Sequence, residues 1–144
     1  LQLRPYVPAE LQAIEWICYG SNAFNAFVPF YANVEGTPAY MNSTTAQVST
    51  DSFYWASRMI AALSDAAYSY TSSHIERYQN KVAIAGHRLI RQYGQRFMDT
   101  KDTTLEEANE AIAEMLRRET DDVLDKVLYE ASMHMKNAFA RSDA

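Results

Sequence analysis

The 144-residue chain is poor in the residues that would assign it quickly to a class. It has one cysteine, four glycines and four prolines. A lone thiol excludes an internal disulfide framework and fits a reducing compartment, so a cytoplasmic location is expected. So few glycines leave no room for a glycine-rich phosphate loop, and neither a Gly-x-Ser-x-Gly elbow nor a His-Glu-x-x-His pair occurs. No apolar run approaches the roughly 18 residues of a membrane span, and a net charge of −5 offers nucleic acid or an anionic membrane no general attraction. Neither is expected as a partner.

What is present suffices for a packed domain, since 48% of the residues are apolar and 22% charged. The charge is uneven. Residues 1–72 hold two basic and five acidic side chains, residues 73–100 five and two, and residues 101–144 six and eleven. Leu1 stands at the head, and "LQL" already alternates like a strand. The chain is therefore expected to begin in mid-structure, as a processed or cropped C-terminal piece of a longer protein.

The first third reads as β. "AIEWICYG" alternates Ile14, Trp16 and Cys18 with Glu15, Ile17 and Tyr19. Gly20–Asn22 is turn chemistry, because Gly and Asn tolerate positive φ. "AFNAFVPFYANV" then puts Phe24, Ala26, Val28 and Phe30 on one face and Asn25, Phe27, Pro29 and Tyr31 on the other. The two segments predict an antiparallel hairpin buried on both sides, with Pro29 at an edge, a bulge or the end of pairing. Residues 34–50 read as a polar loop, so strands and loop fill 1–50 and helices 51–144.

From Asp51, a candidate cap, the period becomes helical, with Trp55, Met59, Ala62, Leu63 and Ala66 on one stripe. Ser73 and Glu76 have capping-box spacing and predict a new start. The next helix carries Ile75, Tyr78, Val82, Leu89, Tyr93 and Phe97, mildly interrupted by Gly86 and Gly94. Thr104 and Glu107 form a second capping box before a helix reading to Phe139, with Leu105, Ala108, Ile112, Met115, Leu116, Leu124, Val127, Leu128 and Ala131 as its stripe. At that length it spans about 50 Å and needs a partner, either a neighbouring helix or another chain. A homo-oligomer is thus one expectation.

The chemistry-bearing residues mostly have structural readings. Cys18, in an apolar strand with no neighbouring cation, reads as a buried structural cysteine. His74, His87 and His134 lack metal-ligand spacing, so no metal or cofactor is expected. Arg77, Lys81, Arg88 and Arg91 share a helix face and read as a solvated surface, opposed to the acidic last helix if the two pack antiparallel. Glu106 and Glu107 suit a helix N-terminus. Residues 22–42 place Asn22, Asn25, Tyr31, Asn33 and Tyr40 among aromatics. Composition leaves this stretch open between plain core and the wall of a small-ligand pocket.

"LQLRPYVP", "EWICYGSNAFNAFVPFYANVEGTP", "YWASRMIAALSDAAYSY" and "IERYQ", in this order and spacing, resemble the C-terminal part of the PepD-type dipeptidases. These are secernin-related, cysteine-dependent members of the N-terminal-nucleophile hydrolase superfamily. The resemblance runs from Leu1 to about Tyr93 and more loosely through the last helix. It implies an α+β fold, the C-terminal portion of an αββα sandwich, and hydrolysis of dipeptides. It also implies a nucleophilic cysteine at the mature N-terminus. Leu1 is no nucleophile, so that cysteine is expected upstream and this chain alone is expected to be inactive, its partners being a dipeptide and the N-terminal remainder of the protein. Four residues become substrate-binding candidates. Asn22 and Asn25 would bond the substrate backbone or an oxyanion, Arg4 would hold its carboxylate, and Tyr31 would stand in the same wall. From another class, the rival reading is a non-catalytic helical interaction or oligomerisation module.

Overall fold

A computed structural model describes residues 1–135. Three strands, β1 (Gln2–Leu3), β2 (Ala13–Ile17) and β3 (Val28–Tyr31), form an antiparallel sheet in the order β1-β2-β3. A short helix α1 (Ala39–Asn42) precedes three longer ones, α2 (Phe53–Ala66), α3 (Tyr68–Asp99) and α4 (Leu105–Met133). The result is α+β and mostly helical. Among the described residues there is one sheet, and α3 and α4 pack against its β3 strand.

The hairpin exists but is shorter than the alternation suggests. Ile14 pairs with Tyr31, Trp16 with Pro29 and Ile17 with Val28, while residues 18–27 form a ten-residue connection. Phe24, expected in the strand, donates its N–H to the Ser21 carbonyl in a turn, and Gly20 takes a φ of +74°. Burial on both sides holds for β3, whose four residues are all buried, but not for β2, where Glu15 is exposed and Trp16 and Ile17 are half-buried. Pro29 sits on the outer strand of the sheet, where its missing N–H removes no ladder bond.

On the open edge of β3 the backbone of Tyr31 is completed by a side chain. Asn109 of α4 accepts from the Tyr31 N–H at 2.9 Å and donates to its carbonyl at 3.0 Å. One amide thus does what a fourth strand would do at that residue, and buries both groups satisfied.

The helical layer corrects three expectations. First, the cap of α2 is Ser52, not Asp51, and Asp51 instead receives a hydrogen bond from Arg117 at 2.6 Å. Secondly, α2 buries Phe53, Ala56, Ser57, Ile60 and Ser64, whereas Ala62 and Ala66 are exposed. Two of the buried positions are serines, and a stripe chosen on apolarity alone misses them. Thirdly, the break falls at Ala67 (φ −138°, ψ 42°) rather than at Ser73. There the Ser64 carbonyl accepts the Ala67 N–H and the Ala67 carbonyl the N–H groups of Tyr70 and Thr71, and the Thr71 hydroxyl adds a contact to each, at 3.3 and 3.1 Å. Residues 34–50 are likewise not all loop, since α1 buries Tyr40 and Met41.

α3 and α4 run antiparallel, as successive cross-contacts show: His74 with Glu130, Tyr78 with Thr120 and Arg96 with Asp102. The long helix therefore finds its partner within the chain. α3 presents Tyr78, Val82, Gly86, Ile90 and Gly94 at four-residue spacing, while Leu89, Tyr93 and Phe97 are only half-buried. The two glycines are where the sheet comes closest. α4 ends at Met133, with Leu128 exposed, and residues 136–139 of its expected run lie outside the described residues.

The second capping box is half realised. Thr104 accepts the Glu107 N–H at 3.1 Å, but the Glu107 carboxylate takes the Thr103 hydroxyl at 2.9 Å instead of reaching back. Thr104→Ala is expected to cost about 1 kcal/mol of stability, measurable as a lower urea midpoint. Thr104→Asp should retain most of it.

Candidate functional site

A cleft of about 400 Å³ lies between the first two strands and α3 from His87 onward. Arg4, Trp16, His87, Arg91, Gln95 and Met98 give it its chemical character. Local folding positions each of them. Arg4 follows β1, donates from its guanidinium to the Leu11 carbonyl, and lies 5.8 Å from the centre of the Tyr31 ring. Trp16, on β2, donates its indole N–H to the Gln2 amide oxygen at 2.9 Å, and its ring lies 4.9 Å from that of His87. His87, Arg91, Gln95 and Met98 recur along one side of α3 at spacings of three and four.

Arg4 and Tyr31 are brought together under this cleft. Tyr31 is 1% exposed, and its hydroxyl donates to the Ile90 carbonyl at 2.5 Å. With its backbone held by Asn109, every polar atom of Tyr31 is bonded inside the fold. Burial pushes its phenol pKa up, and the adjacent Arg4 guanidinium pulls the other way.

Asn22 and Asn25 lie elsewhere, on the connection between β2 and β3. Gln79 of α3 ties that loop down by donating to the Asn25 carbonyl at 3.1 Å, with those of Asn22 and Ala23 at 3.4 Å. Asn22 is exposed, whereas Asn25 is 1% exposed and donates its amide to the Ser21 carbonyl at 3.0 Å. Its Oδ1 is buried without a hydrogen-bond partner among the described residues. Gln79 precedes His87 by eight residues and Arg91 by twelve, which is about 12 and 18 Å along the helix. An extended dipeptide spans about 7 Å. The four candidates therefore occupy two places that a single dipeptide does not bridge.

Cys18 is half-buried, not fully buried, and burial raises its thiol pKa, the opposite of what a reactive thiolate requires. Arg77, Lys81, Arg88 and Arg91 are exposed, and among the described residues none of them forms an ion pair with α4. The acidic helix instead pairs internally, through Lys126 with Asp122 and Arg118 with Glu114. The fold also gathers two distant histidines, His74 and His134, at 3.6 and 3.7 Å from the Glu130 carboxylate. Among the described residues no group of His, Cys, Asp and Glu is arranged to hold a metal ion, and no helix is long and apolar enough to cross a membrane.

Sequence reasoning missed Asn109, Gln79 and the alignment of Trp16 with His87. For Asn109 a signal was available: it stands four residues after Leu105 and three before Ile112, an amide inside an apolar stripe.

Residues 1–81, over half the chain, match peptidase family C69. The chain is 38% identical over 185 residues to a dipeptidase of Bifidobacterium longum, covering 99% of this chain and 35% of that protein. It is also 38% identical over 143 residues to a probable dipeptidase A of Streptococcus pyogenes serotype M18, covering 99% and 30%. With dipeptidase A of Lactobacillus helveticus it shares 25% identity over 134 residues, covering 90% and 28%. It thus spans about a third of the length of the relatives it matches. The fold is α+β and the family is one of peptidases. The chain belongs to peptidase family C69.

Proposed function

We propose that this chain is the C-terminal part of a dipeptidase acting through an N-terminal cysteine, and that it supplies helical cover and one rim of the substrate pocket. The observation that carries the reading is similarity to dipeptidases along 99% of the chain. In this reading the three-stranded sheet joins the remaining strands of an αββα sandwich built mainly by the upstream two-thirds. The nucleophile also lies upstream, where a terminal α-amine with a pKa near 8 takes the thiol proton. The thiolate attacks the peptide carbonyl, and the same amine returns the proton to the departing amino group as the C–N bond breaks. Cys18 has no free amine, and its raised thiol pKa keeps it out of this role.

The loop over residues 18–27 is the rim. Asn22, exposed at its tip, offers an amide to the substrate backbone, and buried Asn25 fixes the loop that carries it. Arg4 lies in the separate cleft, out of reach of a dipeptide on this rim, and Tyr31 supports it from within the core.

Dipeptide hydrolysis by the intact protein tests this. Iodoacetamide is expected to reduce turnover to background in the wild type and in Cys18→Ala alike. Turnover untouched by alkylation would sink the cysteine mechanism. Asn22→Ala should lower kcat/KM about 3- to 10-fold, the loss of a single hydrogen bond of about 1 kcal/mol. If Asn22→Ala and Asn25→Ala both keep wild-type kcat/KM, the rim assignment fails.

A further inference from the structure

The cleft between β2 and α3 has a chemistry that the chain as a whole does not. The protein carries a net charge of −5, yet none of the residues lining this cleft is Asp or Glu, while Arg4, Arg91 and His87 all face it. Neither arginine forms an ion pair among the described residues. Arg4 is held by one hydrogen bond to the Leu11 carbonyl, and its Nε is buried with no partner. A buried guanidinium N–H without an acceptor is costly, and an incoming anion would relieve it.

The remaining wall is mainly apolar, with Trp16, Leu11 and Met98 prominent. At about 400 Å³ the space suits a small molecule. A phosphate dianion fits less well, because such groups favour helix N-termini and glycine-rich backbone, and no helix N-terminus lines this cleft. A carboxylate matches the planar fork of arginine and needs no backbone cradle.

We propose that this cleft binds the carboxylate of a small apolar acid, with the charge between Arg4 and Arg91 and the apolar body against Trp16 and Met98. The site goes beyond the dipeptidase reading, since a dipeptide lying against the Asn22 rim does not reach Arg91. The ligand class is narrow: a free ammonium beside two guanidiniums is repelled, so N-acylated or amine-free acids are preferred over zwitterionic amino acids.

Calorimetric titration of the intact protein with N-acetyl-L-phenylalanine, its primary amide and L-phenylalanine tests the inference. The acid is expected to give saturable binding, with the amide and the zwitterion at least tenfold weaker. Arg91→Gln, on an exposed helix surface, should weaken the acid about tenfold while leaving the melting temperature unchanged. A second reading locates the ligand: the Trp16 indole N–H resonance, assigned with Trp16→Phe, should shift during titration with the acid. Equal binding of the amide, absence of binding by the acid, an unaltered affinity in Arg91→Gln, or a stationary Trp16 resonance would each overturn the proposal.

Discussion

Asn109→Leu is expected to destabilise the protein by about 2–6 kcal/mol, among the largest effects of any single substitution. The leucine has the same branched heavy-atom skeleton and keeps the helix propensity of α4, so neither a cavity nor fraying explains the cost. The Tyr31 N–H and carbonyl, which now share the Asn109 amide at 2.9 and 3.0 Å, would both lie buried without partners. Each such group costs about 1–3 kcal/mol. The measurement is chemical denaturation, with a lowered midpoint at an unchanged m value. Asn109→Asp separates the two bonds. Its carboxylate still accepts from the N–H but opposes the carbonyl, and burial raises its pKa above the unfolded value. The ionised form is the penalised one, so the defect of Asn109→Asp should be full and level above that raised pKa and shrink as pH falls from it toward the unfolded carboxylate value. A midpoint for Asn109→Leu within error of wild type would refute the strand-completing role.

Gly86→Ala is expected to reverse the usual sign of a helical glycine replacement. In an exposed helix the change stabilises by up to about 1 kcal/mol. Here a Cβ at Gly86 would stand 2.7 Å from Pro29 Cδ and 2.9 Å from its Cγ. The proline ring is fused to the backbone and has no rotamer that clears the contact, so α3 must lift from β3. A loss of about 1–3 kcal/mol follows, and more for valine. Gly94→Ala meets a similar obstacle, with the Tyr31 hydroxyl 2.8 Å away. Gly36→Ala, with nothing within 4 Å, is the matched control and should stay within about 0.5 kcal/mol of wild type. The decisive measurement is a double-mutant cycle. Gly86→Ala combined with Pro29→Ala should recover much of the loss, and strict additivity would show that the glycine and proline do not oppose each other.

Both predictions turn on positions whose meaning changes with context. In the sequence Gly86 and Gly94 are mild flaws in a helical pattern, and Asn109 is a polar break in an apolar stripe. Each is a defect by local propensity and a fit by tertiary contact. The glycines give the sheet its approach to α3, and the asparagine closes the backbone on the outer side of β3. The half-used capping box has the same origin: Thr104 caps as its spacing predicts, but Thr103 offers the Glu107 carboxylate a nearer donor.

The candidate site divides along similar lines. Asn22 and Asn25 were legible as polar groups among aromatics, and the family resemblance gave them, together with Arg4, a role. Their separation was not legible. Nothing in the spacing of Arg4 and Asn25 says that Gln79 anchors one region while Ile90, eleven residues further along the same helix, supports the other. Nor does the solvated face that contains Arg91 reveal that Arg91 borders a cleft opposite Trp16.

The sequence by itself determined the β start and the helical remainder, the turn at Gly20, the cap at Thr104 and membership among the peptidases. All of these rest on local chemistry or on a motif read along the chain. Only the tertiary structure decided which helical faces are buried, where α2 gives way to α3, and which polar residues share a cleft. Those outcomes depend on contacts between residues as far apart as Tyr31 and Asn109, where the environment of a side chain is set by a segment 78 positions away.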